Sequence, residues 1–185
     1  MSEAPEFEIM LTGGHPNSLG RTLEVVALIE ASTNRMEEAY RCYQSADAVV
    51  RLRTSSIFKR LIRAEPSRYN EWAERLIDEV AAIDQASAQW TVAQIIGENL
   101  GLWEQHDDSL KQRSLVMLFG LFDKSDDWIV TNATLKTLAN IGVRRMDVEA
   151  KLRPLLERYQ DDRRKSVSNT ARKAVKALDT GRPIK

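Results

Sequence analysis

Three kinds of side chain in this sequence have the types and spacing to do chemistry: paired carboxylates, a glycine-glycine-histidine run and one thiol. The pairs Asp107-Asp108, Asp126-Asp127 and Asp161-Asp162 have the donors for a hard cation or for divided acid and base roles. Each, however, stands just ahead of a helical pattern or in a connecting turn. A carboxylate there accepts free backbone N–H groups and complements the helix dipole, so the three pairs read as caps. Gly13-Gly14-His15 has the composition of a copper-binding tripeptide, but that chemistry needs a free α-amine and twelve residues precede Gly13. The run reads as a turn. Cys42 lies between Tyr40 and Tyr43 and reads as packing. With one cysteine and two histidines, neither an intramolecular disulfide nor a conventional structural zinc site can be built. Gly-x-Ser-x-Gly, Walker and His-Glu-x-x-His signatures are absent from the sequence. The expectation is therefore no catalytic residue, no cofactor and no metal.

The elements that would position any site follow one pattern. From Val130, small or apolar residues fall at Thr134, Thr137, Leu138 and Ile141, one stripe of an α-helix. Val50 starts a copy with Thr54, Ile57, Phe58 and Leu61; Ala88 starts one with Val92, Ile95 and Ile96; Val167 starts one with Ala171, Ala174, Val175 and Leu178. An aspartate (Asp47, Asp84, Asp126, Asp162) precedes each start, and the starts are 38, 42 and 37 residues apart. Such spacing is that of repeated helix pairs.

In order, the chain reads as a lead-in segment, 1–18, then one helical domain over 19–179 and a frayed tail, 180–185. A first helix, about 19–31, is predicted to face inward with Leu19, Leu23, Val26 and Ala27, capped by Asn17 or Ser18. Asn34 and Glu37 are spaced as a capping box ahead of Met36, Ala39, Tyr40 and Tyr43. The remaining helices are predicted at about 48–64, 66–83, 86–100, 109–123, 126–141, 147–159 and 165–178, making about nine in an all-α fold. The charge-free run from Ser114 to Phe122 is too short to span a membrane and reads as a buried core helix. Trp72 falls in the core stripe, and Trp103 and Trp128 lie at helix boundaries as packing between repeats.

Formal charge is zero and the pI is near 6.8, against the basic footprint of a dedicated nucleic-acid binder. The balance is uneven. Residues 133–185 hold 14 Lys and Arg against 6 Asp and Glu, a net of +8, so the remainder carries −8. Unlike ends of this kind permit weak, salt-sensitive self-association. The acidic N-terminus lacks the pattern of a signal peptide, and with the single cysteine it predicts a cytoplasmic protein.

The chain resembles HEAT-repeat proteins over roughly residues 34–179. In that family an Asp between paired helices and an Arg six residues later form a ladder between repeats, a pattern matched by Asp47 and Arg53. The later units depart from it, with Trp90, Asn132 and Ser168 in the Arg position. The Gly13–Gly20 leader, Gly-Gly-His-Pro-Asn-Ser-Leu-Gly, is similar to that of a group of bacterial HEAT-repeat proteins. The resemblance implies a right-handed α-α superhelix of stacked helix pairs and does not imply an activity.

In such a scaffold the positions opposite the buried stripe, +2, +6 and +9, line the concave surface. They are Leu52, Ser56 and Lys59; Trp90, Gln94 and Gly97; Asn132, Lys136 and Ala139; Asn169, Lys173 and Lys176. Trp90 is the strongest contact candidate, because tryptophan is enriched at binding hot spots. From the sequence it either faces the groove or leans into a neighbouring helix. Two functions follow: a non-enzymatic scaffold binding a protein or peptide segment, acidic to match the lysines, or a nucleic-acid binder using the basic C-terminal pair. A variant of the second is an alkylpurine DNA glycosylase-like protein, which the lack of Asp or Glu on the strip disfavours. Nothing predicts a membrane partner.

Overall fold

A computed structural model describes residues 6–15 and 18–184, apart from the side chain of Thr33. Asn17, one of the two caps expected for the first helix, lies outside the described residues. Among them there are helices and no strands: α1 Glu6–Leu11, α2 Thr22–Ala31, α3 Met36–Arg41, α4 Ala48–Ala64, α5 Arg68–Arg75, α6 Ala86–Glu98, α7 Leu100–Trp103, α8 Asp108–Lys124, α9 Trp128–Gly142, α10 Met146–Tyr159 and α11 Lys165–Thr180. The all-α prediction holds, with eleven helices in place of about nine. The two additions are α1, whose buried Phe7, Met10 and Leu11 span too few residues to show a period, and α7, a single turn behind a break at Asn99 (φ −118°, ψ 32°). No helix among the described residues is long and apolar enough to cross a membrane.

The chain divides into two compact units, Met1–Glu71 and Trp72–Lys185. In the first, α4 is the centre. It packs against α1, α2 and α3 and buries Val50, Thr54, Ile57, Phe58, Leu61 and Ile62. Asp47 caps it by accepting from Val49 N at 2.8 Å. Cys42 is buried beside a cluster in which Phe58 lies 6.2 Å from Tyr40 and 5.6 Å from Tyr43, ring centre to ring centre. Arg35 ties α1 to α3: its guanidinium meets Glu6 at 2.6 Å and Glu38 at 2.7 Å and lies over the Phe7 ring.

The second unit is built on α9, which packs against α6, α8, α10 and α11. Asp127 starts it, accepting from Ile129 N and Val130 N, as Asp107 starts α8 by accepting from Leu110 N. The capping expectation is met at these two pairs. Asp162 serves instead at a corner, where its carboxylate holds both the backbone N–H and the guanidinium of Arg164. Those contacts keep its pKa below the ordinary carboxylate value, the Arg164 side-chain hydrogen bond first among the causes. Helices α6 and α9 approach closely because Gly97 faces Thr137, whose hydroxyl donates to Ala93 O at 2.8 Å. Helix α9 runs parallel to α11, with Asn132 near Ser166 at one end and Gly142 near Leu178 at the other.

Thr54, Val92, Thr134 and Ala171, equivalent positions in the four copies, are all fully buried. The second predicted outer helix does bury Tyr69, Trp72, Ala73, Leu76, Ile77 and Val80. It is α5 continued by a π-helical turn, Leu76–Val80, closed by Ala81 N donating to Leu76 O. The wider turn carries one extra residue and keeps Ile77, Val80 and Ala81 on the core side.

Several registers differ from those the sequence predicts. α2 buries Thr22, Val25 and Ile29, and Leu19, Leu23 and Ala27 are exposed. Both faces of this helix are apolar, so periodicity alone could not choose between them. Ser18 does not cap α2, which starts behind Arg21; its hydroxyl accepts from Arg53. Asn34 belongs to a 3-10 turn, Thr33–Arg35, and α3 begins behind Arg35 without a side-chain cap, so the capping box is not formed. Helix α8 is two-faced: Ser114, Leu115, Leu118, Phe119 and Phe122 are buried and Val116 is exposed. Trp103 is buried, its indole N–H donating to Ser114 Oγ at 2.7 Å, whereas Trp128 is 51% exposed and packs little.

Candidate functional site

Each residue of the predicted strip sits on a helix whose opposite face is core. In the first unit Leu52, Ser56 and Lys59 are half-buried on α4. In the second, Trp90 and Gln94 are half-buried on α6, Asn132 is half-buried and Lys136 exposed on α9, and Asn169, Lys173 and Lys176 are exposed on α11. The hub helix is the most telling. From Val130 to Gly142 every residue is buried except Asn132 and Lys136, so these two are the whole solvent line of α9 over that span. Ala139, predicted as a third groove position, is fully buried and does not line the strip.

The strip is polar and cationic. Lys136, Lys173 and Lys176 have no carboxylate partner among the described residues. Asn132 donates to Ser166 Oγ at 3.2 Å, joining α9 to the start of α11. On α11 the exposed residues Lys165, Asn169, Arg172, Lys173 and Lys176 follow one helical face. Arg163 adds a further exposed cation, but Arg164 is drawn aside by Asp162 and by Asp126 O at 3.0 Å. The expected basic surface thus stands with one member neutralised.

The groups with catalytic chemistry are structurally occupied. Burial pushes the Cys42 thiol up to about 12, with Glu8 and Glu38 adding to the shift, which removes thiolate character near neutrality. No group of three or more metal-ligating side chains occurs among the described residues. Gly13 and Gly14 adopt φ of 73° and 72°, as the turn reading requires.

Two arrangements leave no local pattern in the sequence. Arg53, matched to an inter-repeat ladder with Asp47, is instead the anchor of the leader. At 1% exposure it donates to Leu11 O, Gly13 O, His15 O, Ser18 O and Ser18 Oγ, five acceptors for its five N–H groups. The tail, predicted to fray, is held through Ile184 by Asn140 of α9. Both involve polar groups separated by 35 residues or more, beyond any local pattern. Compared with known proteins, the chain matches no family model, no curated protein and no solved structure.

Proposed function

We propose that this protein is a non-enzymatic interaction scaffold, a HEAT-like superhelix of stacked helix pairs that binds an acidic segment of a partner protein along the part of the predicted strip carried by α6, α9 and α11. The observation that carries the reading is the solvent line of α9. From Val130 to Gly142 only Asn132 and Lys136 lie outside, on a helix packed against α6, which carries Trp90 and Gln94, and against α11, which carries Asn169, Lys173 and Lys176. A half-buried indole on α6 and ammonium groups on α9 and α11 offer apolar contact and opposite charge to an acidic amphipathic segment. The resemblance to HEAT-repeat proteins, where concave inner helices receive partners, supports the same placement.

Nucleic-acid binding is the second reading, favoured by the exposed line Lys165, Arg172, Lys173 and Lys176 on one face of α11. One experiment separates the two. Unmodified protein and a Trp90→Ala/Lys136→Glu variant serve as paired baits for affinity capture, with and without nuclease, at two salt concentrations. A protein retained by the first bait and lost from the second, indifferent to nuclease, supports the scaffold. Retained nucleic acid with steep salt dependence supports the alternative. Equal retention by both baits rejects the strip as the site.

A further inference from the structure

Gly181 ends α11 in the left-handed conformation, φ 63°, and Arg182 N closes back on Ala177 O at 3.1 Å. This glycine-dependent reversal turns the chain toward α9. There Ile184 meets Asn140 at both sides of its backbone. Its N–H donates to Asn140 Oδ1 at 2.7 Å, and its C=O accepts from Asn140 Nδ2 at 3.2 Å. A carboxamide that accepts from and donates to one residue's main chain grips extended backbone and is indifferent to the side chain. Asn140 is only 7% exposed, so little water reaches it to replace that partner.

The occupant and its surroundings are poorly matched in charge. A hollow of about 360 Å³ is lined by Lys173, Lys176, Ala177 and Thr180 of α11 and by Arg182, Pro183 and Ile184. Three cations therefore border one small space, with no carboxylate among its lining residues. An acidic residue in the place of Arg182 would meet both lysines, whereas Arg182 meets them with like charge.

We propose that Asn140, which grips Ile184, and Lys173 and Lys176, which line the hollow around residues 182–184, form a subsite for an extended acidic peptide, and that residues 182–184 are its built-in occupant, displaced by the partner segment. The proposal rests on the scaffold reading and adds where the partner's backbone is gripped and what must first move. Tethering gives the occupant a high effective concentration, so it acts as an internal competitor.

The test uses the full chain and a defined probe, the end-blocked peptide Thr-Gly-Glu-Pro-Ile, followed by NMR. Ile184→Pro removes the donor to Asn140 Oδ1 and leaves Asn140 in place. Asn140→Leu removes the grip at similar volume. In the unmodified chain the Ile184 amide should exchange more slowly than in an unstructured peptide, and Asn140→Leu should abolish that protection. The probe should bind the Ile184→Pro chain about fivefold or more tightly than the unmodified chain, shifting the Asn140 side-chain amide signals. That gain should vanish in the double variant. An Ile184 amide exchanging at the unstructured rate overturns the built-in occupant, and equal probe affinity for the unmodified and Ile184→Pro chains overturns the subsite. Should Asn140→Leu fail to fold, the Ile184→Pro comparison still decides, since it alters no buried residue. A silent probe here, with partner capture still dependent on Trp90 and Lys136, removes the clamp and leaves the scaffold standing.

Discussion

Gly20 and Arg53 are in direct contact: a Cβ on Gly20 would lie 2.7 Å from Arg53 Cζ. The guanidinium cannot retreat without breaking hydrogen bonds to four backbone carbonyls and the Ser18 hydroxyl. Gly20 also has φ 51°, where a side chain is strained. Gly20→Ala should therefore destabilise the first unit by about 2–4 kcal/mol. Arg53→Lys should do so to a similar degree, because three ammonium donors cannot serve five acceptors. Denaturant unfolding checks both, and unchanged stability in both would show the contact to be dispensable.

A second close approach lies between α6 and α9. A Cβ at Gly97 would stand 2.4 Å from Thr137 Oγ1. Alanine gains about 1 kcal/mol of helix propensity over glycine, but overpacking costs about 1–3 kcal/mol, so Gly97→Ala should be net destabilising. Adding Thr137→Ala removes the obstructing atom. The double variant should be less destabilised than the single-site costs predict, and additive costs in thermal melts would place the strain elsewhere.

The Cys42 thiol should be inert in the folded protein. Burial raises its pKa from an ordinary 9.0 to about 12, so the folded state favours the protonated form. The resulting stabilisation is fully present below about pH 9 and is lost as pH rises toward about 12. Titration with a thiol reagent at pH 8 should show modification at the rate of unfolding. Fast modification without unfolding would contradict the burial.

Two tryptophans should separate stability from binding. Trp103 is buried and bonded to Ser114, so Trp103→Ala should cost about 3–5 kcal/mol of folding. Half-buried Trp90 should cost less on truncation and should weaken partner capture by more than about 1 kcal/mol. Calorimetry of the two variants tests the contrast, and an equally large fall in melting temperature for both would make Trp90 a core residue.

Helices with one apolar stripe were legible because 3.6-residue periodicity is a local property: α4 was predicted at its observed bounds, and α9 within two residues. The register of α2 was not, since Leu23 and Val25 are both apolar and only the packing of α2 on α4 and α1 decides which is buried. On α9 the solvent line was readable for the same reason as the core, as its complement. Arg53 and Asn140 were opaque because what they bind is main chain, and a backbone carbonyl or N–H leaves no mark in residue type. The leader's glycines carried a partial signal, in that three of them adopt positive φ around Arg53.

The two tethers of α1 respond differently to salt. At its start, Phe7 N and the Arg35 guanidinium depend on the carboxylates of Glu38 and Glu6, and Glu6 faces solvent, where dissolved ions screen it. At its end, Leu11 O is held by Arg53, buried at 1% exposure and out of reach of those ions. Rising ionic strength should therefore unzip this helix from one side only, loosening Phe7 while Leu11 stays pinned. Helix α1 would then behave as a flap hinged on a bond that screening cannot open.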